Sequence, residues 1–233
     1  GKDNAKMALI PAGSFEMGDH LDNMADALPL HTVELDAFYM DIHEVTVRKF
    51  KEFVRETGYE YDRWDDVAKY SPTNEHPVIY VTWDDATAYA KWVGKRLPTE
   101  AEWEFAARGG LIGKEFSWGD DESAARDYAN YGDTKGKDKW HGCAPVGSLK
   151  PNEYGLYDMA GNAWEWCADW YGQYSRSPSR NPQGPSTGDS RVLRGGYWGS
   201  ITNSLRVAYR NGLNPADTAF NLGFRCVSGS DNP

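Results

Sequence analysis

Hydrophobic and polar residues alternate in the first forty residues of the chain, a pattern typical of half-buried β-strands. The stretch from Leu9 to Gly18 predicts a strand, a turn at Pro11-Ala12-Gly13 and a second strand. Residues 31–40 alternate with period two and predict further strand structure. The chain therefore begins with short strands.

Two later segments carry the 3.6-residue period of amphipathic helices. The first begins after Thr46 as N-cap and ends at Gly58, because a residue without a Cβ suits the left-handed conformation that closes helices. The second runs from residue 84 or 85 to residue 93 and is closed by Gly94. Both segments predict helices, the second shorter than the first.

A capping box at Thr99 gives the strongest helix start in the chain. The Thr99 hydroxyl can accept a hydrogen bond from the amide of Glu102, and the Glu102 carboxylate can reach back to the amide of Thr99. Gly109-Gly110 marks the end, so we expect a helix over residues 99–108. Beyond Gly110 the helical period disappears, and short strand-like pieces such as residues 191–194 predict a second half that is mostly loop.

Composition and charge restrict the class of protein. The chain has 233 residues, of which 40% are hydrophobic and 26% charged, and this predicts one globular domain over residues 1–233. Its formal net charge of −10 disfavours nucleic acid as a partner. No apolar run approaches the roughly 20 residues that span a bilayer, so we expect no membrane insertion. The compartment stays open.

Five motifs occur in a characteristic order along the chain. They are HPVIYVTWDDA at residues 76–86, GKRLPTEAEWE at 94–104, GLYDMAGNAWEW at 155–166, RGG at 194–196 and GFR at 223–225. Together they resemble the formylglycine-generating enzyme family, also called the sulfatase-modifying-factor domain. The resemblance covers nearly the whole chain. It implies an α+β, C-type-lectin-like fold with short strands, two main helices and long calcium-supported loops.

The same resemblance implies one or two bound calcium ions. One set of matching positions is Asp158, Gly161, Ala163 and Glu165, and the other is Asn130, Tyr131, Asp138 and Trp140. Each set combines side-chain oxygens with backbone carbonyls, which are the hard ligands that calcium prefers. The alternative is that Asp158 and Glu165 only cap the chain or pair with arginines inside the core.

The cysteines argue against the chemistry of the family's active members. The resemblance implies that active members of the family are oxidases, which hold copper with two cysteines in the segment after the Gly-Gly pair. In this chain, residues 195–206 contain no cysteine. Copper(I) needs a soft thiolate ligand, so we expect no copper and no such oxidase activity. The fold resemblance brings Cys167 and Cys226 into one core, as a bridge or as two buried free thiols, and Cys143 is expected to be free.

Residues 197–221 have an unusual composition, with no Lys, Glu, Gln or Met. Random replacement of the adenines in an Asn codon cannot produce these four residues, because their codons end in a purine. The segment is similar to the variable region of the variable proteins of diversity-generating retroelements. The predicted ligand-binding residues are Tyr197, Gly199, Ser200, Ile201, Thr202, Asn203, Leu213, Asn214, Asp217, Thr218, Phe220 and Asn221. Tyr197 and Phe220 are expected to anchor a ligand, because aromatic side chains dominate binding energy. Trp198 is expected in the core.

Two functions remain open at this point. The first is a non-catalytic protein that binds an unidentified protein or surface ligand through a variable region at 197–221. The second is a divergent oxidoreductase of the formylglycine-generating type that acts on a protein or small molecule. An ordinary family member that is non-catalytic and has no diversified surface would show much the same sequence.

Overall fold

The computed structural model describes residues 1–21, 23–132 and 140–229 and shows an α+β fold with short elements. The α-helices are α1 (Val47–Thr57), α2 (Trp64–Tyr70), α3 (Trp83–Trp92), α4 (Glu100–Arg108) and α5 (Ala125–Tyr128). The strands are β1 (Met7–Ile10), β2 (Gly13–Met17), β3 (His31–Leu35), β4 (Phe38–Asp41), β5 (Trp164–Trp170), β6 (Ser179–Arg180), β7 (Arg191–Arg194), β8 (Arg210–Leu213), β9 (Leu222–Gly223) and β10 (Val227–Gly229). The predicted α+β class with short strands is confirmed, and calcium support of the loops stays a prediction.

The strands of the described residues form three small sheets, in the orders β1-β4-β10, β2-β3-β6 and β8-β7-β5-β9. In the first sheet β4 pairs with β1 and with β10, so the two ends of the chain are joined. In the second, β6 pairs with β3 and attaches the Ser- and Pro-rich stretch 175–189 to the N-terminal part. That residues 1–233 form one domain with a variable region stays a prediction.

The predicted helix caps are present. The Thr46 hydroxyl accepts from the amide of Lys49 at the start of α1, and Gly58 closes that helix with φ 70°. Thr99 and Glu102 form both bonds of the predicted capping box, at 3.1 and 2.8 Å. These local interactions place α1 and α4 within one residue of their predicted bounds.

Two predicted elements differ in detail. The third helix in chain order, α3, begins at Trp83, before its predicted start, because Thr82 and Asp85 form a second capping box. The expected strand over residues 31–40 is two strands, β3 and β4, divided at residues 36–37. The two strands therefore enter different sheets.

Helix α4 is the centre of the molecule, with every residue from Glu100 to Arg108 buried. Its apolar side chains, including Trp103 and Phe105, pack with those of β1 to β5 in one core cluster. A second cluster lies between α1, α3 and β5 around Phe50 and Trp166. Because α4 also carries carboxylates into this interior, buried cations are required to pair with them.

Four arginines from the C-terminal third form buried ion pairs with carboxylates elsewhere in the fold. The pairs are Arg194–Glu104, Arg206–Asp19 (2.5 Å), Arg210–Glu100 (2.6 Å) and Arg225–Glu165 (2.7 Å). Three of the carboxylates lie on α4 or near β2, so the pairs tie the loop-rich residues 194–225 to the N-terminal half.

All three cysteines are free and buried. The alternative of two buried free thiols at Cys167 and Cys226 is therefore confirmed, and the alternative of a bridge between them is wrong. None of the helices in the described ranges is long and apolar enough to cross a bilayer.

Candidate functional site

The segment after β7 is a tightly fixed turn. Gly195 and Gly196 have φ of 96° and 78°, and a Cβ on Gly196 would lie 2.9 Å from the carbonyl oxygen of Ser204. The amide of Ser200 donates to the carbonyl of Tyr197 at 2.8 Å, while the Ser200 hydroxyl accepts from the amide of Tyr197 at 3.0 Å. The backbone that presents residues 197–204 is thus held by its own hydrogen bonds.

An aromatic cluster joins this turn to the end of the predicted variable region. The ring of Phe220 lies 6.0 Å from Tyr197, 5.7 Å from Trp198 and 5.4 Å from Tyr70, measured between centroids. Trp198 stacks on Tyr70 at 5.6 Å with an interplanar angle of 20°. We call Tyr70, Tyr197, Trp198 and Phe220 the aromatic patch. Residues 197 and 220 are therefore neighbours in space.

The predicted ligand-binding residues are mostly accessible. Exposed positions are Ile201 (69%), Asn203, Asn214, Asp217 and Phe220 (37%). Half-buried positions are Tyr197, Gly199, Thr202, Leu213, Thr218 and Asn221. Ser200 is 5% exposed and its hydroxyl holds the turn. Direct contact of these residues with a ligand stays a prediction, and Ser200 is the one whose geometry favours a structural role.

Two members of the aromatic patch depart from the sequence-based expectation. Trp198 is half-buried instead of lying in the core, and its Nε1 has no hydrogen-bond partner among the described residues. Tyr70 was not predicted at all, because it lies on α2, far away in sequence. Its position depends on a long-range bond, in which the amide of Cys143 donates to the Tyr70 carbonyl at 2.9 Å.

Asp158, a predicted calcium ligand, lies beside a second buried carboxyl group, that of Glu44. Asp158 and Glu44 are 3% and 0% exposed, and the negative charge of Asp158 acts on the carboxyl group of Glu44. Asp158 Oδ2 accepts from the amide of Gly147 at 2.7 Å, and Glu44 Oε1 accepts from Asn162 Nδ2 at 2.9 Å. Burial raises the pKa of both groups, that of Glu44 well above its usual range.

Glu165, the other predicted carboxylate ligand, is already paired. Its oxygens accept from Nε and Nη2 of Arg225, both at 2.7 Å, and from Trp103 Nε1 at 2.9 Å. A calcium ion at Glu165 would share the carboxylate with a guanidinium group. The role of Glu165 as a calcium ligand stays a prediction.

The second predicted calcium set is described only in part. Asn130 is 2% exposed, and its Nδ2 donates to the Gly142 carbonyl at 3.0 Å, whereas its Oδ1 is buried without a partner among the described residues. An unpaired buried oxygen fits a hard cation. Asp138 lies outside the described residues. Tyr131 is buried and Trp140 half-buried.

Neither set is an all-carboxylate site. No group of three or more His, Cys, Asp or Glu side chains suited to a metal occurs in the part of the chain that the structure describes. Gly161 and Ala163 are buried and could contribute backbone carbonyls only. Calcium accepts such mixed oxygen sets.

The cysteines lie in apolar surroundings. Burial raises the pKa of Cys143 to about 12 and that of Cys167 and Cys226 well above the ordinary thiol value. Cys143 packs in the cluster that borders Tyr70 and Trp198, but its sulfur is buried. Without a metal, these groups stay thiols at neutral pH.

Two solved structures share this fold over nearly their full length. PvdO from Pseudomonas aeruginosa superposes with a TM-score of 0.86 at 29% identity, covering 98% of this chain and 96% of that chain. Treponema denticola variable protein 1 superposes with a TM-score of 0.79 at 27% identity, covering 96% and 94%. The predicted resemblance to a variable protein is therefore confirmed at the level of the fold.

Sequence comparison also relates this chain to formylglycine-generating enzymes. The chain is 38% identical to the formylglycine-generating enzyme of Streptomyces coelicolor, covering 95% of this chain and 88% of that protein. It is 39% identical to the serine/threonine-protein kinase pkn1 of Chlamydia pneumoniae, of which it spans only 38%. Residues 1–229 match the sulfatase-modifying factor enzyme 1-like domain. The chain belongs to the sulfatase-modifying factor enzyme 1-like domain family.

Proposed function

We propose that this chain is a non-catalytic ligand-binding protein that presents a variable surface on a C-type-lectin-like scaffold. The surface comprises residues 197–204 and 213–221. The observation that carries the proposal is that these two segments meet in the aromatic patch, where Tyr197 and Phe220 lie 6.0 Å apart and Phe220 is 37% exposed. Segments scattered over the molecule could not form one binding surface.

The shape and chemistry of the patch support recognition of a protein or another surface. Tyr, Trp and Phe supply large contact areas at low entropic cost, and neighbouring Asn, Ser and Thr side chains add adaptable hydrogen bonds. Buried ion pairs hold the scaffold below: those of Arg206 and Arg210 fix the chain between the two segments, and that of Arg194 fixes the strand before them. Treponema denticola variable protein 1, with its similar structure, supports the same proposal.

The cysteine chemistry supports a non-catalytic role. Residues 195–206 contain no cysteine, and the thiols at 143, 167 and 226 are buried. A copper ion would find no accessible thiolate pair in this arrangement. We therefore propose that the chain uses no copper.

One observation favours a second candidate, a divergent oxidoreductase. The chain is 38% identical to the formylglycine-generating enzyme of Streptomyces coelicolor across 95% of its length. Such an enzyme would need a redox centre other than a cysteine pair. Purified protein that carries stoichiometric copper or iron and oxidises a thiol peptide would favour this candidate over the binding protein.

Calcium, as one or two ions, is the cofactor that we propose for the loop-rich half. The buried Oδ1 of Asn130, which has no hydrogen-bond partner among the residues that the structure describes, and the buried carboxyl of Asp158 support this assignment. A cation would supply a partner for the Asn130 oxygen and would neutralise the charge of the Asp158 carboxylate. We propose no nucleic-acid partner and no membrane insertion.

The genes that encode sibling proteins provide the test of the variable surface. Aligned coding sequences should differ mainly at the codons for residues 197, 199–203, 213–214 and 217–221, opposite adenines of a near-identical template repeat. The codons for Leu205, Arg206 and Arg210 should stay unchanged, because these residues are buried. Differences spread evenly over the chain, with no template repeat, would refute the proposal.

A further inference from the structure

A cleft of about 520 Å³ shares no residue with the aromatic patch or with the predicted ligand-binding residues. Asp169, near the end of β5, and Glu100, in the first turn of α4, contribute its buried carboxyl groups. The segment over residues 172–185 supplies one wall, and the paired residues Met17 and His31 of β2 and β3 contribute to another. The cleft is therefore a separate place in the fold where a ligand could bind.

Asp169 is a buried acid without a bonded cation. It is 4% exposed, and its Oδ2 accepts from the amide of Glu100 at 2.9 Å. Among the described residues, no N–H or hydroxyl group donates to its Oδ1, and no Lys or Arg forms an ion pair with it. A buried carboxylate in such a position needs a positive charge or a proton against it. Burial, followed by the nearby charge of Glu100, raises the pKa of Asp169 to about 7.

The other carboxyl group of the cleft already has its counter-charge. The two oxygens of Glu100 accept from Nε and Nη2 of Arg210, at 2.7 and 2.6 Å. The Arg210 guanidinium also lies 4.0 Å from the ring centroid of Tyr174 and donates to the carbonyl of Gly172 at 2.7 Å. Arg210 therefore neutralises Glu100, and the charge of an ionised Asp169 stays uncompensated.

We propose that this cleft binds an alkylammonium group, from a free amine or from a lysine side chain, with Asp169 as its counter-ion. The formal net charge of −10 favours the approach of a cation. Met17 and the rings of Pro178, Pro182 and Pro185 line the cleft and offer apolar contacts to the methylene groups of such a ligand. The ammonium charge takes the place of the proton that Asp169 otherwise keeps.

The lining favours an organic cation over a metal ion. Calcium takes about six to eight oxygen ligands, whereas the oxygens of Glu100 are bonded to Arg210. An ammonium group has only three N–H donors. Asp169 and the hydroxyl groups of Ser175 and Ser179 are acceptors that line the cleft. The inference depends on neither the variable surface nor the calcium proposal.

The test measures the binding of two amines to the full chain by titration calorimetry at pH 8. Butylamine represents a free amine, and Nα-acetyl-lysine amide represents a lysine side chain. The control is 1-butanol, which has the same alkyl chain without the charge. Wild type should bind butylamine and should not bind 1-butanol. Binding of Nα-acetyl-lysine amide as well would assign the cleft to lysine side chains, and binding of butylamine alone would assign it to free amines.

Two matched variants locate the site. Asp169→Asn removes the charge but keeps an acceptor for the amide of Glu100, and it should weaken butylamine binding at least about tenfold. Asp65→Asn changes an exposed residue of α2 outside the cleft and should bind butylamine as wild type does. Circular dichroism spectra check that both variants are folded.

The pH dependence of wild type is a second readout and requires no variant. From pH 6 to pH 8 the ionised fraction of Asp169 rises about tenfold, so the dissociation constant of butylamine should fall about tenfold. Histidine side chains can also titrate in this range, but His31→Gln should keep the dependence. The charged and titratable groups around Asp169 are Arg96, Glu100, Glu102, Cys167, Arg191 and Arg210, with His31 and Tyr174 in the cleft.

Two results would overturn the inference. If neither amine binds at pH 8, or if 1-butanol binds as tightly as butylamine, the cleft is not a site for an ammonium group. If Asp169→Asn binds butylamine as tightly as wild type does, the amine binds at another place on the molecule. Neither result bears on the variable surface, which is tested separately.

Discussion

Tyr197 and Phe220 are the residues in which binding energy is expected to concentrate. Their rings meet edge to face in the aromatic patch, with centroids 6.0 Å apart, and neither ring is fully buried. Once a partner is identified, Tyr197→Ala and Phe220→Ala should each weaken its binding by on the order of 2 kcal/mol, which is about a thirtyfold rise in the dissociation constant. Affinity is measured by surface plasmon resonance. Circular dichroism spectra should be unchanged.

Ile112→Ala is the control for this prediction. Ile112 is 87% exposed and lies outside residues 197–221, so its loss should leave affinity unchanged. A partner whose affinity does not respond to Tyr197→Ala, Phe220→Ala or any exposed position of the two segments would place the binding surface elsewhere.

Asp169 gives the molecule a predictable pH dependence. Burial, followed by the nearby charge of Glu100, raises the pKa of Asp169 to about 7 from an ordinary value of 3.8. Because the folded state favours the protonated acid, the contribution of this group to stability falls as pH rises from about 4 to about 7 and is level above that. Asp169→Asn removes the titration but keeps an oxygen for the amide of Glu100.

We therefore expect Asp169→Asn to gain stability over wild type as pH increases. Between pH 5 and pH 8 the difference in the free energy of unfolding should shift by on the order of 3 kcal/mol in favour of the variant. Urea denaturation at both pH values measures it, with the exposed Asp217→Asn as control. A difference that is independent of pH would show that Asp169 does not titrate in this range.

At the scale of elements, the sequence predicted those helices whose capping residues form hydrogen bonds with the backbone at the helix ends. Thr46, Gly58 and the Thr99–Glu102 box define α1 and α4 without help from the rest of the fold. Helix α2 was missed because its N-cap residue Arg63 makes no side-chain cap and Val67 is its one buried residue. Packing against distant segments, and not local sequence, stabilises it.

The candidate site was predictable to the same limited extent. Composition pointed to residues 197–221, but Tyr70 was missed, because it reaches the aromatic patch through long-range contacts. Trp198 was expected in the core, yet it packs against Tyr70 and Phe220 and remains half-buried. Residue type alone does not distinguish a core tryptophan from one at the edge of a surface patch.

The capping box of α4 provides a test at this scale. Thr99→Ala removes the acceptor for the Glu102 amide inside a helix that is buried throughout, so we expect a loss of about 1 to 2 kcal/mol in the free energy of unfolding. Chemical denaturation measures it. Thr46→Ala, at a cap with a longer bond of 3.4 Å, should cost less. Equal losses would contradict the assigned role of the box.

At the scale of the whole molecule, the fold depends on strand pairings and ion pairs that no local sequence pattern predicts. The alternation of β3 and β4 predicted strands, but their partners β6 and β10 lie more than a hundred residues away. The four buried arginine–carboxylate pairs likewise join distant parts of the chain. Together they tie residues 194–225, which include the proposed binding surface, to the rest of the fold.

Removal of calcium should weaken this whole assembly. We expect EDTA to lower the melting temperature, because a ligand that binds only the folded state stabilises it by mass action. Differential scanning fluorimetry in 1 mM calcium, in 1 mM magnesium and in EDTA provides the comparison, with metal content measured in parallel. An identical melting temperature in all three, in protein that contains no metal, would contradict the expected calcium sites.

The most direct measurement of the central claim is selection from a display library. The library diversifies the predicted ligand-binding residues except Ser200, and a matched library diversifies the same number of exposed positions outside residues 197–221. Selection is against a single purified protein, such as lysozyme. If these residues form a variable binding surface, the first library yields folded binders whose melting temperatures stay close to that of the parent, and the matched library yields none. Equal yields from both libraries, or members of the first library that do not fold, would contradict the claim.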